Sequence, residues 1–176
     1  MVRQALWAVA VVLAAAAGWT DWRWRRIPNW LTVSGLLAGL TLNALGWGWP
    51  GVFESLKGAG LGLALLLPFV LVRSLGAGDW KLAGAVGAFF GPQRLIAVLF
   101  VTILVAGVMA VALVIWKKRV RQTLRNMWRI LAAFFTLHLP QPDLSLDNPA
   151  ALKVPFGVAM AAAVILYTIG HLWGVA

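Results

Sequence analysis

The chain of 176 residues holds five carboxylates, two histidines and no cysteine, so the chemistry open to it is limited from the start. Without cysteine there is no thiol nucleophile, disulfide or thiolate zinc site. His138 and His171 belong to no H-E-x-x-H helix, which leaves a zinc protease without its ligands. Ser34 and His171 fall toward opposite ends of their apolar runs, so a Ser and His pair cannot form. Both histidines read as interfacial packing residues. Glu54 stands beside Lys57 and reads as a solvated surface charge. Asp143 and Asp147, in a stretch marked by Pro140, Pro142 and Pro149, suit turn and cap roles. Asp21 and Asp79 remain.

Asp21 closes an apolar run in Thr20-Asp21-Trp22-Arg23-Trp24-Arg25-Arg26-Ile27-Pro28-Asn29, and Asp79 opens another in Gly76-Ala77-Gly78-Asp79-Trp80-Lys81-Leu82. If both helix ends meet at one membrane face, the two carboxylates cannot easily both ionise. They share a proton and titrate as a pair. That is aspartic-protease chemistry: one oxygen takes a proton from water while the other acid donates to the scissile carbonyl, with no metal or cofactor. Each aspartate also has a structural reading, Asp21 as an interfacial ion pair or helix stop beside Arg23 and Asp79 as a helix cap after a Gly-rich turn. Lys81 is expected close to Asp79, where it would steady that charge or hold its loop.

The elements that position these residues follow from composition. The chain is 62% hydrophobic and 11% charged, against roughly 45 to 50% and about 25% in soluble domains, and its mean hydropathy is +0.88. That much apolar surface excludes a soluble globule. Six apolar runs each read as a transmembrane helix: Gln4 to Thr20, Trp30 to Trp47, Gly58 to Val72, Leu82 to Gly91, Leu95 to Trp116 and Val154 to Val175. The fourth is short and needs to extend past Lys81 and Pro92 to cross. The fold class is therefore an all-α membrane bundle of about six transmembrane helices, one domain over residues 1–176. Val120, Leu124, Met127 and Leu131 recur at helical spacing beside Arg121, Arg125 and Arg129, which predicts a basic interfacial helix over 120–139 lying on an anionic inner leaflet.

The net charge of +10 is better explained by membrane topology than by nucleic acid. Loops one, three and five carry Arg23, Arg25, Arg26, Arg73, Lys81, Lys117, Lys118, Arg119, Arg121, Arg125, Arg129 and Lys153, whereas Arg3, Lys57 and Arg94 fall on the other side. Basic loops stay in the cytoplasm, so Asp21 and Asp79 face the cytoplasm and both termini face outward. Trp19, Trp22, Trp24, Trp30 and Trp116 then form an inner aromatic belt, and Trp7, Trp47, Trp49 and Trp173 an outer one. Arg23, Arg25 and Arg26 resist translocation, so Gln4 to Thr20 reads as a mature helix and not a cleaved signal.

The two aspartate segments together resemble the type IV prepilin peptidase family of aspartic membrane proteases. The G-x-G-D-x-K-L string is the more specific half, and Lys153-Val154-Pro155-Phe156-Gly157-Val158-Ala159 resembles the stretch that opens the family's last helix. The resemblance implies a bacterial cytoplasmic-membrane protease that cuts a short basic leader from prepilin or pseudopilin substrates after a Gly, at the cytoplasmic edge of their apolar helix. It implies Asp21 and Asp79 as the catalytic aspartates, Gly76 and Gly78 as shapers of the second one's loop, and Pro28, Asn29 and Lys81 as supporting motif residues. The larger bifunctional members carry a cysteine-containing insertion associated with methylation of the new terminus. This chain has none, so the resemblance is to the short form and does not extend to methyl transfer. The alternative is a small multipass transporter or ion-conducting protein with Asp21 and Asp79 as a proton or cation site. It is less well served, because both aspartates map to one face and no inverted repeat is evident.

Orientation is directly testable on this cysteine-free background. A single cysteine at Glu54 or Gln93 is expected to react with a membrane-impermeant thiol reagent in intact cells, and one at Arg119 or Gln141 only after permeabilisation. The reverse pattern would invert the topology.

Overall fold

The computed structural model describes residues 2–118, Val120, Arg121, Thr123, Arg125, Trp128 and 154–174. Four helices are laid down in order: α1 Val2–Trp24, α2 Asn29–Leu71, α3 Ala77–Trp116 and α4 Phe156–Leu172. There is no strand among the described residues. Of the expected basic helix over 120–139, Val120, Arg121, Thr123, Arg125 and Trp128 are helical. The rest of that stretch, with His138, Asp143 and Asp147, lies outside the described residues.

Six separate spans are not what the structure shows. Three helices, α1 to α3, are long and apolar enough to cross a membrane, and α4 is a shorter apolar helix of 17 residues. Runs two and three are joined in α2, and runs four and five in α3. Each join departs from helical geometry at one glycine, Gly48 (φ 62°) in α2 and Gly91 (φ 71°) in α3. A left-handed φ is open to glycine without the Cβ clash other residues meet, so the chain turns within one residue and resumes helix at once. No loop separates the halves.

Contacts show that both turns reverse the chain. A Cβ on Gly51 would overlap the Asn43 carbonyl, although a straight helix holds residues eight apart about 12 Å from each other. A Cβ on Gly39, before the turn, would stand 3.0 Å from the backbone of Ala88 and Phe89, while one on Gly58, after it, would overlap Gly87. In α3, Phe90 packs at a tilt on Trp7, ring centroids 4.9 Å apart, and Arg94 lies over the same ring. Leu113 and Trp116 then return to the level of Trp22 at the other end of α1.

What holds these halves together is close approach and not apolar burial alone, because lipid is as apolar as the helix faces it would be exchanged for. Gly58 meets Gly87 backbone to backbone, and Gly62 meets the Ala83 carbonyl, with a Cβ there falling 2.6 Å away. Near the Gly48 turn, Asn43 Nδ2 and Ser55 Oγ both donate to the Ala88 carbonyl oxygen, at 2.9 and 2.7 Å. All three groups are buried, so their mutual bonding removes a cost that apolar surroundings would otherwise impose. Leu82, Val86, Phe89, Leu95 and Met160 fill the centre, whereas Phe100, Val108, Ile115 and Leu172 stand exposed. Such a surface suits lipid as its solvent. Trp7 departs from the expected outer belt: it is buried, stacked at 4.6 Å on His171 and packed on Phe90. Its neighbours on α3 and α4 claim the ring that the sequence alone would leave facing headgroups.

Gly58→Ala is expected to lower the thermal midpoint in detergent, since overpacking costs about 1 to 3 kcal/mol. Gly60→Ala, whose Cβ would meet nothing within 4 Å, should leave the midpoint unchanged. Thermal melts of the two variants side by side check this.

Candidate active site

Asp21 sits in the last turn of α1 and is 7% exposed. The helix ends as Arg25 takes a left-handed φ of 53° while its amide donates to the Asp21 carbonyl at 2.9 Å. Three residues later Pro28 (φ −65°, ψ 141°) caps α2, and its ring keeps Ile27 out of the helical region. The link is thus short and stiff.

Asp79 is the third residue of α3, whose N-cap is Gly76. Its carboxylate reaches back to the Gly76 amide, as the acidic residue of a capping box does. A Cβ on Gly76 would stand 2.9 Å from Asp79 Oδ2, which explains the glycine. The other oxygen, Oδ1, is buried and accepts no hydrogen bond among the described residues.

The two carboxylates meet at the start of α4. Gly157, in the first turn after the Pro155 cap, donates its N–H to Asp21 Oδ2 at 2.9 Å, and Val158 adds a second amide. The Gly157 amide also serves Asp79, and the Asp21 charge acts directly on Asp79. A Cβ on Gly157 would stand 3.0 Å from Asp21 Cβ, Asp21 Oδ2 and Ile27 Cδ1. Ile27 fills the space between, with a Cβ on Gly78 falling 3.1 Å from its own Cβ. Gly18, one turn before Asp21, brings α1 onto α4, since a Cβ there would come within 2.8 Å of Ala161 Cβ. Among the described residues no third His, Cys, Asp or Glu joins the pair in a cluster that could hold a metal.

The structure brings together Asp21 and Asp79, the two aspartates singled out in the sequence, with Gly76 at the N-cap of α3 and Gly78 against Ile27. Lys81 requires correction. Its Nζ bonds Asn29 Oδ1 at 2.9 Å and does not stand against Asp79, because residues two apart on a helix point to different sides. The pair instead ties the start of α3 to the start of α2, just after Pro28, and Trp80 adds a bond from Nε1 to the Leu63 carbonyl at 2.7 Å. Gly157 and Ile27 were missed as site residues. The Pro155-Phe156-Gly157 stretch was the available signal for Gly157, a helix start with room for close approach.

The remaining candidates lie elsewhere. Glu54 pairs with Lys57 at 2.8 Å, in helix and not in a loop, and lines a cavity of about 310 Å³ beside Gly91 and Arg94, at the end of the bundle away from the aspartates. Ser34 Oγ donates to the carbonyl of Leu31, and His171 stacks on Trp7, so the two are not partners. Beside Asp21, an apolar cleft of about 690 Å³ is lined by Trp22, Arg25, Met109, Leu113, Trp116 and Pro155.

Lys81→Met and Asn29→Ala are each expected to lower the thermal midpoint slightly, with the double variant no worse than the worse single, because both remove one bond. Additive losses would show that the residues act separately.

Residues 8–111, more than half of the chain and spanning both aspartates, match the family model described as the type IV leader peptidase family. No curated protein matches the chain, and no solved structure does.

Proposed function

Because the chain belongs to the type IV leader peptidase family, we propose that it is an aspartic endopeptidase that removes the short basic leader of type IV prepilin or pseudopilin substrates, with Asp21 and Asp79 as its catalytic pair. The observation that carries this reading is the convergence of the two carboxylates on the Gly157 amide. A buried pair holding one proton has a base and an acid within reach of the same peptide.

In the reaction, one carboxylate takes a proton from water as its oxygen attacks the scissile carbonyl carbon, and the other acid gives its proton to the carbonyl oxygen. The resulting gem-diol collapses as the peptide nitrogen gains a proton and the C–N bond breaks. The products are the leader's new carboxyl and the free amine of the shortened substrate. Gly76 and Gly78 shape the turn that presents Asp79, while Pro28, Asn29 and Lys81 hold the facing helix starts.

The setting proposed is a bacterial cytoplasmic membrane. The reversals at Gly48 and Gly91 allow α2 and α3 each to pass twice, which with α1 and α4 makes six passages. The basic residues Arg23, Arg25, Arg26 and Lys81 at the aspartate end favour the cytoplasmic, anionic side for it, with both termini outward. A substrate's apolar helix then stays in lipid while its leader meets the pair.

Asp21→Asn and Asp79→Asn should each reduce cleavage by at least about a hundredfold while preserving the melt, since Asn keeps size but can neither take the water proton nor supply one. Glu54→Gln should cleave normally. A gel shift of a prepilin-like substrate in liposomes, with chelator present, reads the result. Efficient cleavage by either Asp variant would remove the pair from consideration, and loss of wild-type activity on chelation would point to a metal.

A further inference from the structure

We infer that the pair is unequal: Asp21 holds the negative charge and acts on water, Asp79 carries the shared proton and gives it to the scissile carbonyl, and Gly157 is the positioning residue that enforces this division. The inference rests on the peptidase reading and assigns roles within it.

The donors around each oxygen differ. Asp21 Oδ2 accepts the Gly157 N–H at 2.9 Å, the Val158 amide lies on the same carboxylate, and Arg25 adds a cation from the end of its own helix. An ionised carboxylate only accepts; Asp79 also meets two amides, those of Gly76 and Gly157, so the guanidinium is what sets Asp21 apart as the charged member. The Gly157 and Val158 amides are also in the first turn of α4, where the helix dipole presents its positive end. Asp79 has no cation acting on it among the described residues, and its Oδ1 is buried with no partner. A bare charged oxygen there would be costly. As an O–H it becomes a donor, and a peptide carbonyl is the acceptor it lacks.

The charged groups around Asp21 are few. Arg25 faces it from the end of α1 and Asp79 from α3, whereas Lys81 is committed to Asn29 at the start of α2. Residues 156–163 of α4 include no ionisable side chain. Among the described residues only Gly157 connects both carboxylates, which is why a change there acts on their division of the proton.

The reaction then reads without ambiguity of role. Water loses a proton to Asp21 as its oxygen bonds the carbonyl carbon, and the carbonyl oxygen takes the proton from Asp79. Asp79 is left ionised and Asp21 protonated. Transfer of the proton from Asp21 to the leaving nitrogen, with return of one diol proton to Asp79, restores the starting state.

Two measurements on the full chain test this. With carbonyl-labelled aspartate, the infrared band of a protonated carboxyl at neutral pH should be present in the wild type and in Asp21→Asn and absent from Asp79→Asn. Loss of that band in Asp21→Asn overturns the assignment. The band does not depend on turnover, so a failure of the peptidase reading, seen as cleavage by both variants, remains distinguishable from a failure of this one. Gly157→Ala keeps the question open to test if either variant does not fold. Its Cβ pushes Asp21 away from the amide, so the acid limb of the cleavage profile should move to higher pH by about one unit, further than the basic limb, which the same amide touches through Asp79. Equal or larger movement of the basic limb, or movement of neither, overturns the assignment.

Discussion

A carboxylate buried among apolar helices cannot rely on water for its hydrogen bonds, and the first turn of a helix is where backbone amides are left without partners. The bond from the Gly157 amide to Asp21 joins these two needs. Asp21 lies in the last turn of α1, where the helix dipole opposes a negative charge. Arg25 and the start of α4 offset that opposition from outside the helix. Asp79, in the first turn of α3, has the dipole in its favour. Two helix starts and one helix end must therefore meet, and the folding of α1, α3 and α4 is answerable to that meeting.

Small residues set how closely they meet. Gly18 against Ala161, Gly78 against Ile27 and Gly157 against both Ile27 and Asp21 leave no room for a side chain larger than the one present. Ile27 is the wedge that touches two of these helix starts, and Pro28 fixes the backbone behind it. In lipid this closeness is the principal source of helix association. The bonds from Asn43 and Ser55 to the Ala88 carbonyl do similar work at the other end of the bundle, and so hold α2 in register with the helix that carries Asp79.

Asp21 and Asp79 were legible because charge is scarce in so apolar a chain, and the G-x-G-D string gave one of them a specific setting. Their shared donor was not, since a backbone amide has no residue type to read. Lys81 was expected to steady the Asp79 charge or hold its loop, and the bond it makes is to Asn29 across the two helix starts. The joining of six runs into fewer helices was hidden for a different reason: Gly48 with Pro50, and Gly91 with Pro92, look like loop residues, yet only one residue in each case leaves helical geometry. Trp7 shows the converse, an aromatic whose position in the run suited headgroups but whose neighbours Phe90, Tyr167 and His171 enclose it.

The reversals at Gly48 and Gly91 lie together at the end of the bundle away from the aspartates, around the cavity lined by Trp47, Gly51, Glu54 and Arg94. The connections 25–28 and 72–76 leave from the aspartate end, as does the chain after Trp116. The two ends therefore differ in their capacity for growth. A turn made by one left-handed glycine between packed helices cannot take up extra sequence without parting those helices, whereas the 72–76 connection can lengthen while the helices stay in place. Any sequence inserted between these helices is thus steered to the aspartate end, where it would stand directly over the pair.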